Sequence, residues 1–234
     1  MTAAEESLNG RRFSENLLGA LSGKLLVSCQ PVRGGPLDCP EWVAAAARAC
    51  LIGGAAGLRV EGTPDLLAVR AAAAAPILGL IKRAGQVAIT PTPADVGAVL
   101  ACGADLVAID ATDRARPCPV GQLIAEVHAA GALAVADVSS EAEGLSAWSL
   151  GADLVATTLA GYRGGPVPED PDLDLVAALA RSGVRTLAEG RYAQPGQAAR
   201  AIALGAFAVV VGGALTRLEE MVHRFAAALP AVGV

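Results

Sequence analysis

Short runs of Val, Leu and Ile alternate with alanine-rich segments along almost the whole of this chain. The apolar runs are Leu25–Ser28, Gly57–Val60, Ile77–Ile81, Leu106–Ile109, Leu133–Ala136, Leu154–Thr157, Thr186–Ala188 and Phe207–Val211. They are continuous rather than alternating, which is the pattern of strands buried on both faces. Between them, Pro40-Glu41, Pro64-Asp65, Pro93-Ala94-Asp95 and Asp170-Pro171-Asp172 place proline and acid at helix first turns. Gly53, Gly103, Gly131, Gly151, Gly183 and Gly205 stand where those helices should stop. The hexapeptide Gly-Ala-Asp-Leu-Val-Ala occurs at 103–108 and again at 151–156, and a relative, Gly-Ala-Phe-Ala-Val-Val, follows at 205–210. One strand–helix unit is therefore used repeatedly. Eight units in 234 residues predict an α/β fold, a closed (β/α)8 TIM barrel, whose usual size is ~250 residues. The alternative is an open doubly wound sheet. That fold advertises a glycine-rich first turn, and no GxGxxG follows a strand here. Residues 1–22 read as an N-terminal extension, with a short helix from Phe13 to Leu21 closing the barrel bottom, and 23–234 as a single barrel domain.

Composition narrows the function. Hydrophobic residues make up 53% and aromatic residues 3%, so the core is aliphatic and disorder is excluded. A net charge of −5 argues against a nucleic-acid partner. No apolar run approaches the ~18 residues of a membrane span, so no membrane partner is expected. The run Leu17–Leu21 behind Glu5, Glu6, Arg11 and Arg12 is too short for a signal peptide. Cys29, Cys39, Cys50, Cys102 and Cys118 are odd in number and scattered, which reads as reduced thiols of a cytoplasmic protein. Without HxH, HxxxH or CxxC, neither a metal site nor a cofactor is expected. His128 and His223 fall in helical stretches and read as structural.

In a barrel of this kind chemistry sits at the C-terminal strand ends. Those ends carry Ser28-Cys29-Gln30, Arg59 with Glu61, Lys82-Arg83, Asp110, Asp137, Thr157-Thr158, Glu189-Gly190-Arg191, and Gly212-Gly213 ahead of Thr216 and Arg217. The opposite ends carry mostly turn residues. Lys82, one of two lysines, follows an apolar run; partial desolvation lowers the pKa of such an amine toward that of a base or nucleophile. Glu189 is placed either as an acid or base or as a salt-bridge partner of a nearby Arg. Asp110 and Asp137 orient a substrate, hold Lys82 or cap a helix. A buried Arg59 must be paired, so it holds a substrate oxygen or ties up Glu61 or Asp110. Gly190, Gly212 and Gly213 offer bare amides after strands seven and eight. They form a phosphate cradle to which Arg191 or Arg217 adds a charged fork, or they are turn residues. Gln30 fits a sugar hydroxyl or amide, or a loop hydrogen bond.

These strand ends, taken in order, resemble the N-acetylmannosamine-6-phosphate 2-epimerase family. The resemblance is carried by Leu26-Val27-Ser28-Cys29-Gln30, Gly57-Leu58-Arg59-Val60-Glu61-Gly62, Ile81-Lys82-Arg83, Ile89-Thr90-Pro91-Thr92, Ile109-Asp110-Ala111-Thr112, Ala136-Asp137-Val138-Ser139, Thr157-Thr158-Leu159-Ala160-Gly161-Tyr162, Ala188-Glu189-Gly190-Arg191 and Val211-Gly212-Gly213-Ala214-Leu215-Thr216-Arg217. It implies a barrel of the phosphosugar-binding type and interconversion of N-acetylmannosamine 6-phosphate and N-acetylglucosamine 6-phosphate in amino sugar and sialic acid catabolism. It also implies Lys82 and Glu189 as the catalytic pair. Gln30, Arg59, Asp137 and Thr158 would face the sugar, and Gly190, Arg191, Gly212, Gly213 and Arg217 the phosphate. Two stretches depart from the family pattern: Ala84-Gly85-Gln86, where an acidic residue is expected, and Arg163-Gly164-Gly165-Pro166. The competing readings are another phosphosugar isomerase, a lyase using Lys82 as a Schiff base, and a non-catalytic sugar-phosphate sensor. Met221, Val222 and Phe225 on the last helix either pack on the barrel or join two copies in a homodimer.

Overall fold

The computed structural model describes residues 14–84, 88–162, 164 and 166–230. Residues 1–13, 85–87, Arg163, Gly165 and 231–234 lie outside that description. So do the first part of the expected extension, including Phe13, and parts of both departing stretches. The described chain begins in helix α1 (14–21). There follow β1 (Leu25–Cys29), α2 (Pro40–Ile52), β2 (Gly57–Glu61), α3 (Thr63–Ala72), β3 (Ile77–Leu80), α4 (Pro93–Ala101), β4 (Leu106–Asp110), α5 (Val120–Ala129) and β5 (Leu133–Asp137). The second half continues with α6 (Glu141–Ser149), β6 (Leu154–Ala156), a 3-10 turn (Thr157–Leu159), α7 (Leu173–Arg181), β7 (Thr186–Glu189), α8 (Pro195–Ala203), β8 (Ala208–Val211), α9 (Gly213–Thr216) and α10 (Leu218–Ala228). The strands run parallel and close into a barrel in sequence order, with β8 pairing β1.

Side-chain alternation sorts each strand into two faces. Leu26, Leu80, Leu106, Ala108, Leu133, Val135, Leu154, Ala156, Leu187, Ala208 and Val210 fill the barrel interior. Val27, Cys29, Leu58, Val60, Val107, Ile109, Ala134 and Ala136 face the helices. Leu17 and Leu21 of α1 join the interior cluster from below. The repeated hexapeptide has a physical reason: Asp105 and Asp153 occupy equivalent turns before their strands. Each uses Oδ2 to accept a backbone N–H near the start of the neighbouring strand, from Ile77 at 2.9 Å and from Ala134 at 2.8 Å.

The punctuation is mostly as expected. Gly103, Gly131, Gly151, Gly183 and Gly205 take left-handed backbone just past their helices. After α2 that role falls to Gly54, at φ 101, while Gly53 remains right-handed. Pro171 lies ahead of α7 rather than in its first turn, and Asp172 caps that helix by accepting from Leu175 N at 2.9 Å. No helix among the described residues is long and apolar enough to cross a membrane.

Candidate active site

The same alternation that fills the interior aims polar side chains into its upper end. On β5 the inward row Leu133, Val135 continues to Asp137, on β7 Leu187 continues to Glu189, and on β2 Gly57 is followed by Arg59. These three meet across the barrel. Arg59, 1% exposed, donates from Nη1 and Nη2 to both Asp137 oxygens at 3.0 and 2.7 Å, and from Nη1 to Glu189 Oε2 at 2.8 Å. Neither carboxylate expected from the sequence partners it. Glu61 instead takes Arg33 at 3.0 Å. Asp110 is occupied by the backbone N–H and hydroxyl of Thr112, at 3.0 and 2.6 Å, and by Ala88 N at 3.2 Å. The Arg59 Nε is buried with no partner. Asp137 is fully buried beneath Arg59 and Thr158, whose hydroxyl donates to it at 2.6 Å. It supports groups that line the cavity and is not itself part of the lining.

Lys82 reaches the cavity from beyond β3, where it forms a single antiparallel bridge with Ile89. Its Nζ donates to Gln30 Oε1 at 2.5 Å, and Gln30 Nε2 donates to Ser28 Oγ at 2.9 Å. Partial desolvation, then the positive charge of Arg59, pull its pKa below the ordinary lysine value; Glu61 opposes this, Arg217 adds to it, and Glu189 opposes it. Burial pushes Glu189 up to about 7, Arg59 resists, and Asp137 adds to the rise.

Above these groups lies a cavity of about 990 Å³. Gln30, Arg59, Lys82, Thr158 and Glu189 line it together with Gly190, Arg191, Gly212, Gly213 and Arg217. Gly190 has φ 109, which a side chain would resist. Arg191 is largely committed: it donates from Nε to Asp170 O at 2.8 Å and from Nη1 to Ala160 O, with its guanidinium 5.5 Å from the centre of the Tyr162 ring. Arg217 donates to Gln30 O at 3.2 Å and to Glu220 Oε1 at 2.9 Å. Tyr192, Met221, His223 and Arg224 also line the cavity. Nothing in strand periodicity marks them, because most come from α10 folding over the mouth. Among the described residues no group of three His, Cys, Asp or Glu side chains converges as a metal site.

The family described as "Putative N-acetylmannosamine-6-phosphate epimerase" matches residues 43–231. A protein of Photobacterium profundum named as a 2-epimerase of that substrate is 48% identical over 92% of this chain and 93% of its own length. A Klebsiella pneumoniae protein of the same name is 50% identical over 89% and 91%. The solved N-acetylmannosamine-6-phosphate 2-epimerase from Clostridium perfringens superposes with a TM-score of 0.88 at 36% identity, covering 91% of this chain and 96% of that one. With its barrel closed as expected and its strand ends gathered on one cavity, the chain belongs to the N-acetylmannosamine-6-phosphate 2-epimerase family.

Proposed function

We propose that this isomerase interconverts N-acetylmannosamine 6-phosphate and N-acetylglucosamine 6-phosphate by removing and returning the proton on carbon 2. The observation that carries the mechanism is that Lys82 and Glu189 line one cavity, where burial lowers the pKa of the amine and pushes that of the carboxyl up to about 7. In the open-chain sugar the aldehyde makes the carbon 2 proton acidic. Neutral Lys82 takes it, the electrons move onto oxygen 1, and protonated Glu189 delivers a proton to the opposite face. Proton count is conserved, and the reverse reaction exchanges the two roles. Arg59 and Asp137 act beneath this pair, holding the Glu189 carboxyl in place. Gln30 holds the amine, and Thr158 faces the sugar. The amides of Gly190, Gly212 and Gly213, with Arg217, fit the phosphate; Arg191 contributes mainly by ordering the loop around Tyr162. Phosphate binding anchors the substrate while carbon 2 flattens.

The test is proton NMR in D2O with N-acetylmannosamine 6-phosphate, wild type beside Lys82→Ala. Wild type should produce N-acetylglucosamine 6-phosphate deuterated at carbon 2. The variant should lose on the order of 10²–10⁴-fold in kcat, the range for a missing acid–base group. Product without deuterium, or full activity in the variant, would overturn the mechanism.

Two further readings belong with this one. Five free thiols suit a reducing, cytoplasmic setting. Exposed Leu218, Val222 and Phe225 share one face of α10 and suit a homodimer. Sedimentation velocity should show a dimer for wild type and a monomer for Phe225→Glu.

A further inference from the structure

Lys82 stands on a segment that leaves the barrel and re-enters it. β3 ends at Leu80, and the chain returns so that Ile89 packs into the barrel interior. The return is fastened to β4 on one side: Asp110 N donates to Ile89 O at 2.9 Å, and Ala88 N donates to Asp110 Oδ2 at 3.2 Å. On the other side Glu61 Oε1 accepts from Lys82 N at 3.2 Å, and Thr90 holds the residue before it. Thr90 N donates to Ile81 O at 2.8 Å, and Thr90 Oγ1 accepts from Ile81 N at 3.2 Å. Both backbone polar groups of the residue before Lys82 are thus held by Thr90.

Thr90 holds them from a costly conformation. It is fully buried, and its φ is 45. Left-handed backbone is a genuine outlier for a β-branched residue, and Pro91 narrows the choices of the residue before it still further. Glycine would meet this φ without strain and would keep the N–H bond to Ile81. What glycine lacks is the hydroxyl. Strain of this kind persists where the surroundings over-determine it, and it gathers at functional sites. We propose that Thr90 is a positioning residue: its hydroxyl and amide together fix the peptide units of Ile81 and so set where the Lys82 amine stands for proton transfer. This rests on the reading of Lys82 as the base.

The far side of Lys82 is held independently. Arg83 N donates to Ala88 O at 2.8 Å, and the Arg83 guanidinium grips Asp95 at 2.6 and 2.9 Å. Losing the Thr90 hydroxyl therefore loosens one side of Lys82 while the segment stays attached. Of the proposed phosphate contacts, Gly190, Gly212 and Gly213 follow β7 and β8, and Arg217 is fastened separately to Gln30 O and Glu220. The consequence is misplacement of the amine, with binding largely retained.

Three variants test this: Thr90→Val removes the hydroxyl at constant shape, Thr90→Gly removes it and the strain together, and Thr90→Ser keeps it. Folding is checked by circular dichroism, and the glycine variant keeps the test open should valine fail to fold. We expect kcat to fall about 10- to 100-fold in the glycine and valine variants, the scale of an ångström of misplacement, with KM nearly unchanged. Serine should restore kcat to near wild type. A second readout needs no turnover. The chain has two lysines, so limiting acetic anhydride at fixed pH, read by mass spectrometry, gives the acetylation of Lys82 relative to Lys24. That ratio should fall severalfold in the glycine and valine variants and hold in the serine variant. An unchanged ratio in folded Thr90→Gly, a KM effect without a kcat effect, or a serine variant as impaired as glycine would each overturn the proposal. Should wild type fail to epimerise while the ratio still falls, the clamp stands and the functional reading fails.

Discussion

An amine and a carboxyl sharing one cavity in water would both carry charge, and here both are pushed toward their neutral forms. For Glu189 the push is burial reinforced by Asp137 and opposed by Arg59, and it ends at about 7. Removing the Asp137 charge removes one raising influence and leaves Arg59 to act on Glu189 alone. Asp137→Asn should therefore move the alkaline limb of the pH–rate profile, where Glu189 loses its proton, to lower pH. A limb that stays in place or moves upward would show that Asp137 does not act on Glu189. The reason this triad escaped the sequence is plain from Arg59. Its chain neighbour Glu61 and the β4-end Asp110 were legible as candidates, but its partners stand on β5 and β7, and only barrel closure brings them within 3 Å. Lys82 and Glu189 themselves were legible as candidates because an amine, one of two in the chain, and a carboxyl each follow an apolar run. The Thr90 contact was not, since a left-handed threonine has no signature in composition or period.

At the scale of elements, strand and helix meet with no room to spare in some places and with room in others. Gly79 on β3 faces α4. A Cβ there would stand 2.6 Å from Val99 Cγ1 and 2.9 Å from Ala104 Cβ. Gly97, on the exposed side of α4, has nothing within 4 Å of where its Cβ would be. The same substitution should act in opposite directions. Gly79→Ala should destabilise by about 1–3 kcal/mol through overpacking. Gly97→Ala should stabilise by roughly 0.5–1 kcal/mol through helix propensity. Urea unfolding of the two variants decides; if both destabilise alike, local packing is not what distinguishes the two sites. The strands were readable within about a residue because burial on both faces leaves an unbroken apolar run. The segment after β3 was less so: the run through Ile81 looks like continuing strand, and nothing in it announces the turn back to Ile89.

For the whole molecule, the chemistry of Glu189 sets a slope of stability against pH. Below 4.5 its carboxyl is protonated in both the folded and the unfolded chain, and it imposes no penalty. Between 4.5 and about 7 the unfolded chain ionises while the folded chain keeps its proton. The folded state then binds more protons, so stability falls as pH rises. Above about 7 both are ionised and the full penalty is present, roughly 3 kcal/mol for a carboxyl displaced from 4.5 to about 7. The side chain is only 11% exposed, so solvent screening removes little of this. Glu189→Gln keeps an acceptor for Arg59 and cannot titrate. Urea unfolding of wild type and Glu189→Gln across this interval should give a stability difference that grows in favour of glutamine by roughly 3 kcal/mol as pH rises, or about 6–12 °C in Tm for a chain of this length. The same variant should lose most of its turnover, since the group that imposes the penalty is the proposed proton donor. A difference that stays flat with pH would mean that Glu189 titrates as an ordinary carboxylate in the folded barrel, leaving the proposed mechanism without its acid near neutral pH.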